Sequence, residues 1–309
     1  MKSYSGVDVS KHFLDVYFEG EYKRLKNDNS GFDELAKWIK KSNQSTLVIC
    51  EASGGYEKPM ILNMNRIGIL THVAQANKIR AFARAKGYLA KTDKLDAEII
   101  AEYGKAMNPE AQILLADSAE KMKELLKRRD QLLHDKQAEQ QRLDKATLCI
   151  KTLINRHIKW LAKEIDMLDQ ELSKIRSNDK AIHESHQRFT SVPGIGDLVA
   201  YHLIAYLPEL GTANNKQLAA LTGVAPFNRD SGSTKGKRYI WGGRKELRRI
   251  LYMAAISAMQ WNPDMSAFYN RLRSNGKSGK LVLVAVIRKL LCLLNSIEKR
   301  KGSWEKIYA

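Results

Sequence analysis

The feature that most constrains the fold is a run without proline or glycine that begins at Asp117 and continues to about residue 177. So long a run without a helix breaker predicts long helix, and the D-S-A-E at its start predicts a capping box in which Glu120 reaches back. An a/d seam of about three heptads follows, at Ile154, Ile158, Leu161, Ile165, Leu168, Leu172 and Ile175. The seam needs a partner, either residues 118–148 of the same chain in an antiparallel pair or a second chain in a coiled coil. The stricter heptads of the second half favour the second chain.

The residues before and after this run differ in pattern. Three short strands are predicted between residues 4 and 26, and strands at 46–53 and 71–76 then alternate with helices, which indicates a mixed sheet. Helices are predicted later at 214–222, 244–261, 264–274 and 279–300. The fold class is therefore α/β plus all-α, with a mixed-sheet domain at 1–112, a helical coiled-coil region at 113–185 and a mainly helical C-terminal domain at 186–309.

The charge of the chain points to a polyanionic partner. Lys and Arg number 52 against 34 Asp and Glu, for a net charge of +18, and such a field attracts nucleic acid above all. The most apolar stretch, residues 281–294, is interrupted by Arg288 and Lys289, so no membrane span is expected. The three cysteines lie far apart and the N-terminus has no apolar signal core. We expect a reduced, cytoplasmic bacterial protein associated with the nucleoid.

Four acidic residues stand out against this basic background. Asp93 and Asp96 follow Thr92, a plausible N-cap, and would share the first turn of a helix, where acids commonly just complement the helix dipole. Asp8, however, interrupts an apolar first strand, and Glu51 ends a buried strand, where an unpaired charge is costly. If the four converge at one edge of the sheet, they need cations, and two Mg²⁺ (or Mn²⁺) ions would bind a phosphodiester there.

The densest basic stretch lies at residues 229–249. Phosphate contacts are predicted for Arg229, Lys235, Lys237, Arg238, Arg244, Lys245, Arg248 and Arg249. Ser231 lies among these cations and could act as a nucleophile toward phosphorus, although Ser233 and Thr234 are equal rivals on chemistry alone. Gly194 and Gly196 form a turn before an apolar helix, where backbone N–H groups could hold a phosphate or the turn could be purely structural.

Several of these segments together resemble a known family. GVDVSK (6–11), EASGGY (51–56), KTDKLDA (91–97), VPGIG (192–196) and GVAPFNRDSG (223–232) occur in the order and spacing of the DEDD transposases of the insertion-sequence one-ten family. The resemblance covers nearly the whole chain, and the combination is specific although each motif is weak. One departure is Asn77-Lys78, where the family often has Asn-Pro.

The resemblance implies a RuvC-like, RNase H-like domain whose metal tetrad is Asp8, Glu51, Asp93 and Asp96. It also implies that Ser231 is the catalytic nucleophile. By the same resemblance the protein would recombine donor and target DNA, guided by a bridge RNA. It would form a homodimer that assembles into a homotetramer, with composite sites drawn from two subunits.

Three other readings stay open on the residues alone. A RuvC-like, structure-specific endonuclease such as a Holliday-junction resolvase would share the tetrad but would not need the serine loop. An actin-like ATPase or sugar kinase also starts with an aspartate on its first strand, but it needs a glycine-rich turn where this chain has Val9-Ser10-Lys11. A non-enzymatic nucleic-acid scaffold would account for the charge and the coiled coil.

Overall fold

The computed structural model describes residues 2–42, 44–88, 90, 92–112, 116–227 and 238–304. The chain divides into two compact units, Met1–Leu114 and Leu115–Ala309. Each unit is described separately below.

The first unit is built on a five-stranded mixed sheet. Its elements are β1 (Lys2–Val9), β2 (Phe13–Phe18), β3 (Glu21–Lys26), α1 (Asn29–Lys41), β4 (Ser45–Glu51), α2 (Lys58–Arg66), β5 (Leu70–Ala74), α3 (Ala76–Ala85) and α4 (Asp93–Met107). The strand order is β3-β2-β1-β4-β5. β1, β2 and β3 pair antiparallel, whereas β1–β4 and β4–β5 pair parallel. This confirms the mixed sheet expected from the sequence.

The two faces of this sheet are covered by different helices. On one face Val7 and Val48 pack with α1 and α2 in an apolar core. On the other face Leu47 and Ile49 pack with Ile99 and other residues of α4. Because successive side chains of a strand alternate between faces, the even-numbered residues of β1 and the odd-numbered residues of β4 face α4.

Gly6 sets the distance between β1 and α4. A Cβ at Gly6 would lie 2.1 Å from the carbonyl oxygen of Ala97 and 2.3 Å from the amide nitrogen of Ala101. No other residue fits such an approach of helix backbone to strand backbone. The helix therefore lies directly on β1, with its first turn close to the C-terminal end of that strand.

The second unit is mainly helical. Its elements are α5 (Asp117–Leu143), α6 (Leu148–Asn178), α7 (Lys180–Thr190), α8 (Asp197–Tyr206), α9 (Asn215–Leu221), β6 (Pro226–Phe227), β7 (Tyr239–Ile240), α10 (Lys245–Trp261), α11 (Pro263–Ser274) and α12 (Gly279–Arg300). β6 and β7 form a two-stranded antiparallel ribbon. The helices predicted at 214–222, 244–261, 264–274 and 279–300 are all present, within one residue at each end.

The proline- and glycine-free run forms two helices that pack antiparallel on each other. Early in α5, Met122 and Leu126 pack with Leu172 and Ile175 near the end of α6. Farther along α5, Leu132 meets residues earlier in α6. The heptad seam of α6 therefore packs against α5 of the same chain, which is the first of the two partners considered and not the second chain that the heptads favoured.

The start of α5 corrects one expectation. The N-cap is Ala116, and no side chain caps the helix, so the predicted capping box is wrong. Asp117 is already helical because Ala116 adopts the extended conformation of the cap position. Asp117 and Glu120 lie in the first turn, where their charges complement the helix dipole.

The helical pair continues into the C-terminal helices without a break in the apolar core. Ile182 of α7 and Tyr201 of α8 share a cluster with Met122 and Leu172. A larger cluster joins α7 to α12 and includes Val192, Leu251 and Leu290. Within the described residues, no helix combines the length and the apolarity needed to cross a bilayer.

Candidate active site

Asp8 and Glu51 lie side by side on parallel strands. Val7 and Cys50 are register partners in β1 and β4, and Asp8 and Glu51 each come one residue later. Alternation places both side chains on the face that α4 covers, at the C-terminal edge of the two strands. Both residues are partly buried.

Asp93 and Asp96 reach the same edge from above the sheet. Thr92 caps α4 by accepting a hydrogen bond from the Leu95 amide at 3.2 Å, which fixes the start of the helix. Ala97 of α4 lies against Gly6 of β1, which is two residues before Asp8. The first turn of α4 therefore lies over the end of β1. The helix start predicted from KTDKLDA is confirmed.

The negative charges of the neighbouring acids act on Asp8. The pKa of Asp8 is raised from 3.8 to about 6, first by burial and then by the negative charges of Asp96, Asp15, Asp93 and Glu51. All three other acids of the predicted tetrad thus act on one carboxyl group. The four predicted residues therefore lie toward the same edge of the sheet, and Asp15 is a fifth acid there. That they form a metal site stays a prediction.

The donor set suits a hard divalent cation. Carboxylate oxygens are the ligands that Mg²⁺ and Mn²⁺ prefer. Among the described residues, no three acidic, histidine or cysteine side chains are drawn together into a preformed metal site. Arg24 donates a hydrogen bond from Nη2 to Asp93 and so neutralises one of the four acids.

Asp15 and Arg24 were not foreseen as site residues. Asp15 lies opposite Asp8 in the β1–β2 register and opposite Arg24 in the β2–β3 register. The missed signal is the strand FLDVYF, in which one charge interrupts an apolar pattern just as Asp8 does in β1. Finding Arg24 required the register, which the sequence alone does not give.

The EASGGY segment after β4 is a tight loop organised around a carboxylate. Glu57 accepts hydrogen bonds from Ser53 N at 3.2 Å, Ser53 Oγ at 2.8 Å and Gly55 N at 2.8 Å. Gly54 and Gly55 have φ of 77° and 118°, which favour glycine. Asn27 Nδ2 donates to the Tyr56 carbonyl at 3.1 Å. These bonds fix the backbone that follows Glu51.

The predicted basic residues of the second unit fall into three groups. Ser231, with its rivals Ser233 and Thr234, and Arg229, Lys235 and Lys237 lie outside the described residues. Arg238 is exposed, and Lys245 is exposed at the start of α10. The remaining three guanidiniums have partners within the chain.

Those three arginines hold the loop and helices together. Arg244 bonds Glu209 at 2.7 and 2.5 Å, Arg248 donates to the Gly242 carbonyl at 2.7 Å, and Arg249 pairs with Asp130. A guanidinium has five donors, so these contacts leave room for a phosphate. Phosphate binding by these residues stays a prediction.

Gly194 and Gly196 have different surroundings. Gly194 has φ of 96°, and a Cβ there would lie 2.5 Å from Cα of Ala258 in α10, so this glycine is needed for close packing. Gly196 is the N-cap of α8 and its Cβ would meet nothing within 4 Å. Asp197 places a carboxylate in the first turn of the same helix. The predicted phosphate contact is therefore better suited to Gly196 than to Gly194.

The β6–β7 ribbon carries exposed aromatic side chains. Trp241 is 74% exposed, Tyr239 58% and Phe227 49%. Beside it, a groove of about 600 Å³ has Val284 and Ile287 in its wall and Lys245 and Lys280 among its lining residues. Aromatic faces next to cations are the combination that binds unpaired nucleic acid.

Comparisons with known proteins agree with this arrangement. A family model described as DEDD transposase of the IS110 type matches residues 5–149, and the transposase model of the IS116/IS110/IS902 family matches residues 186–270. The pilin gene-inverting proteins of Moraxella lacunata and Moraxella bovis are each 28% identical over 99% of this chain and 98% of their own. An IS110 protein of Streptomyces coelicolor is 27% identical over 43% of this chain and 34% of its own.

The two family matches cover both regions that the residues singled out. One contains the four predicted acids, and the other contains the glycine turn and the basic stretch that includes Ser231. The chain therefore belongs to the DEDD transposases of the IS110 family, which are DNA-recombining enzymes.

Proposed function

We propose that this protein cuts and rejoins DNA strands with a divalent-metal site in its first unit and a serine nucleophile in its second. The observation that carries the proposal is geometric: Asp8 and Glu51 lie at the C-terminal ends of the neighbouring parallel strands β1 and β4, under the first turn of α4 with Asp93 and Asp96. The pKa of Asp8 is raised to about 6, first by burial and then by Asp96, Asp15, Asp93 and Glu51. A structural acid is ordinarily paired with a cation or hydrogen-bond donors, whereas this one is surrounded by like charges.

Asp8, Glu51, Asp93 and Asp96 would hold the cations, Mg²⁺ or Mn²⁺. Bound there, the ions would neutralise a phosphodiester and stabilise the oxygens that attack and leave phosphorus. The chain's own part is to fix the four carboxylates by two strand ends and one capped helix turn, all of which are rigid elements. The polar loop that follows Glu51 is held by hydrogen bonds to Glu57 and from Asn27.

Ser231 would carry the strand between cutting and rejoining. Its Oγ loses a proton and bonds to phosphorus while the bond from phosphorus to one deoxyribose oxygen breaks, and that oxygen takes up a proton. A hydroxyl from another strand then attacks the phosphoserine ester and releases the serine. Because each step exchanges one phosphate ester for another, the bond energy is kept for joining.

Nucleic acid would be bound mainly through the second unit and the overall charge. The net charge of +18 favours DNA and a guide RNA alike. The exposed aromatics of the β6–β7 ribbon, with Arg238 and Lys245, supply stacking faces and phosphate contacts. We include a bridge RNA in the proposal because of the family resemblance.

An exposed apolar stripe on α6 supports assembly of two or more chains. Leu153, Trp160 and Met167 recur every seven residues and are each about half exposed, at 51, 50 and 50%. The seam used inside the chain lies on other positions of the same helix. The stripe would therefore bring two chains together as a homodimer, the step before a tetramer.

The test uses a plasmid that carries the gene with its flanking DNA, so that the natural ends and any RNA encoded beside them are present. Recombination is measured by sequencing new DNA junctions, and protein–DNA adducts are measured after denaturation in detergent. Asp96→Asn and Ser231→Ala should each lower recombination on the order of a hundredfold or more. Ser233→Ala, a hydroxyl removed from the same loop, is the matched control and should recombine normally.

The two variants should fail in different ways. Asp96→Asn should lose Mn²⁺ binding, whereas Ser231→Ala should bind Mn²⁺ normally and form no covalent adduct. Cleavage by Ser231→Ala at the natural ends without rejoining would identify a metal-dependent nuclease instead. Normal recombination by Asp96→Asn would refute the metal site.

A further inference from the structure

A row of polar residues crosses the sheet beside the candidate metal site. Asp8 of β1 pairs with Asp15 of β2, and Asp15 pairs with Arg24 of β3. The three side chains share the face that α4 covers, because paired residues in neighbouring strands point the same way. At one end of the row is the positive charge of Arg24 on β3. At the other end is Asp8 on β1, the strand next to the one that carries Glu51.

Asp15 holds the guanidinium of Arg24 in place. Asp15 is only 3% exposed, and its Oδ1 accepts hydrogen bonds from Tyr22 Oη at 2.5 Å and from Arg24 Nε at 2.8 Å. A carboxylate so deeply buried is stable only with such partners. The Nε side of the guanidinium is therefore fixed to a rigid part of the sheet.

The other end of the same guanidinium reaches Asp93. Arg24 Nη2 donates to Asp93 Oδ2, and the Asp93 side chain is 61% exposed. One arginine thus joins a buried acid to an exposed acid of the proposed metal tetrad. Its two contacts differ in strength, since the bond to the buried acid is shielded from water and the bond to the exposed acid is screened.

We propose that Arg24 is a positioning residue that serves as an internal counter-ion for Asp93 and competes with the metal for that carboxylate. This inference rests on the proposed function, since it presupposes the metal site at Asp8, Glu51, Asp93 and Asp96. Without metal, the guanidinium holds Asp93 near the other acids and limits their repulsion. A divalent cation must displace the Arg24–Asp93 contact, and Asp15 then keeps the released guanidinium at the edge of the site.

The competition predicts an unusual direction of change, namely tighter metal binding after a mutation beside the site. In Arg24→Gln, a neutral side chain replaces the cation that repels the metal and occupies its ligand. We expect the Mn²⁺ affinity of the purified full-length protein, measured by electron paramagnetic resonance of the unbound ion, to increase about three- to tenfold. A residue with a merely structural role would weaken binding or leave it unchanged.

Lys23→Gln is the matched control. Lys23 is the preceding residue of β3, on the opposite face of the sheet, where its Nζ lies 4.3 Å from the centre of the Trp38 ring. The substitution removes the same charge from the same strand, so it corrects for the change in net charge. We expect its Mn²⁺ affinity to stay within about twofold of the wild type, because the Lys23 charge lies on the far face of the sheet, away from the acids.

Arg24→Lys keeps the inference testable if Arg24→Gln does not fold. A lysine ammonium can neutralise Asp15 but lacks the fork that spans both acids. We expect it to bind Mn²⁺ more tightly than the wild type, by less than Arg24→Gln. If both Arg24 variants bind Mn²⁺ no more tightly than Lys23→Gln, the inference is overturned.

Asp96→Asn separates this inference from the proposed function. If Asp96→Asn abolishes Mn²⁺ binding while Arg24→Gln leaves it unchanged, the metal site stands and only the role of Arg24 is refuted. If Asp96→Asn binds Mn²⁺ like the wild type, the metal site itself is refuted and Arg24 has nothing to compete with.

Discussion

Asp8 carries much of the electrostatic cost of the candidate site. Its carboxyl group is partly buried and faces other acids from β2, β4 and α4. Gly6, two residues earlier, creates this situation, because the missing side chain lets α4 approach β1 and brings Asp93 and Asp96 with it. The close packing of α4 on Gly6 therefore leaves an unfavourable negative charge at Asp8.

That cost predicts how stability depends on pH in the absence of metal. The pKa of Asp8 rises from 3.8 to about 6 on folding, so the folded state favours the protonated form. The associated stability is complete below about pH 4 and is lost as pH rises through 6. Asp8→Asn, which has no charge, should therefore be more stable than the wild type at pH 7 by about 1–2 kcal/mol, after allowance for solvent screening.

The measurement is urea unfolding of both proteins in EDTA at several pH values from 4 to 8. The difference between the two should shrink toward zero as pH falls to 4, because Asp8 of the folded protein is then neutral like the asparagine. Adding Mg²⁺ should make the wild type the more stable of the two proteins at pH 7, since only the wild type has the Asp8 carboxylate as a ligand for the ion. A difference that does not vary with pH would contradict the assignment.

At the residue level, the sequence predicts where an acid lies in the fold if its charge stands out against a local pattern. Asp8 and Glu51 were identifiable because they interrupt or end apolar strands, and Asp93 and Asp96 because Thr92 marks a helix start. Asp15 has the same kind of signal, a charge inside an apolar strand, but is not among the predicted site residues. Arg24 gave no local signal at all, since its importance arises from cross-strand neighbours.

At the level of elements, helix ends with local signals were predicted well. Asn262 accepts hydrogen bonds from Asp264 N at 3.1 Å and Met265 N at 3.2 Å, and Pro263 follows it. Such caps are written in adjacent residues. The end of α5 at Leu143 and the start of α6 at Leu148 have no such signal, because the chain reverses there to pair two helices, and tertiary packing decides the position.

The pairing of α5 and α6 predicts unequal effects of two truncations in one helix. Leu172 is fully buried against α5, whereas Met167 of the same helix is 50% exposed. Leu172→Ala should lower the free energy of unfolding of the second unit by about 2–5 kcal/mol. Met167→Ala should change it by less than about 1 kcal/mol. Chemical denaturation followed by far-ultraviolet circular dichroism measures both.

If the heptad seam of α6 packed against a second chain instead, the difference in cost between Leu172→Ala and Met167→Ala would depend on protein concentration. We expect the cost of Leu172→Ala to be the same across a hundredfold range of concentration, because its contacts lie within one chain. A cost that vanishes on dilution would contradict the intramolecular pairing. The exposed stripe that includes Met167 is the place where concentration dependence is expected.

At the level of the whole molecule, the number of compact units depends on which apolar faces pack against each other. The structure divides between Leu114 and Leu115, and separate cores lie before and after this point. The predicted boundary at 185–186 has no matching gap in the core, because Ile182 and Tyr201 pack with Met122 and Leu172. Local sequence patterns show where helices begin and end, but not which helices share a core.

This organisation predicts where the chain tolerates division. Fragments 1–112 and 116–309, each made alone, should fold cooperatively, with unfolding midpoints close to those seen in the intact chain. A cut between residues 178 and 180 should instead destabilise both products, because it separates the helical pair from Tyr201 and its neighbours. Thermal unfolding of the purified fragments distinguishes the two cases, and a fragment 1–112 without a cooperative transition would contradict the division.

The positions of the four acids along the chain have a consequence during protein synthesis. Asp8 leaves the ribosome long before Glu51, and Asp96 comes last of the tetrad. A nascent chain that has not yet extruded α4 therefore lacks both the helix acids and the surface that buries Asp8. A truncated product that ends before α4 therefore lacks two of the four acids that the proposed metal site needs.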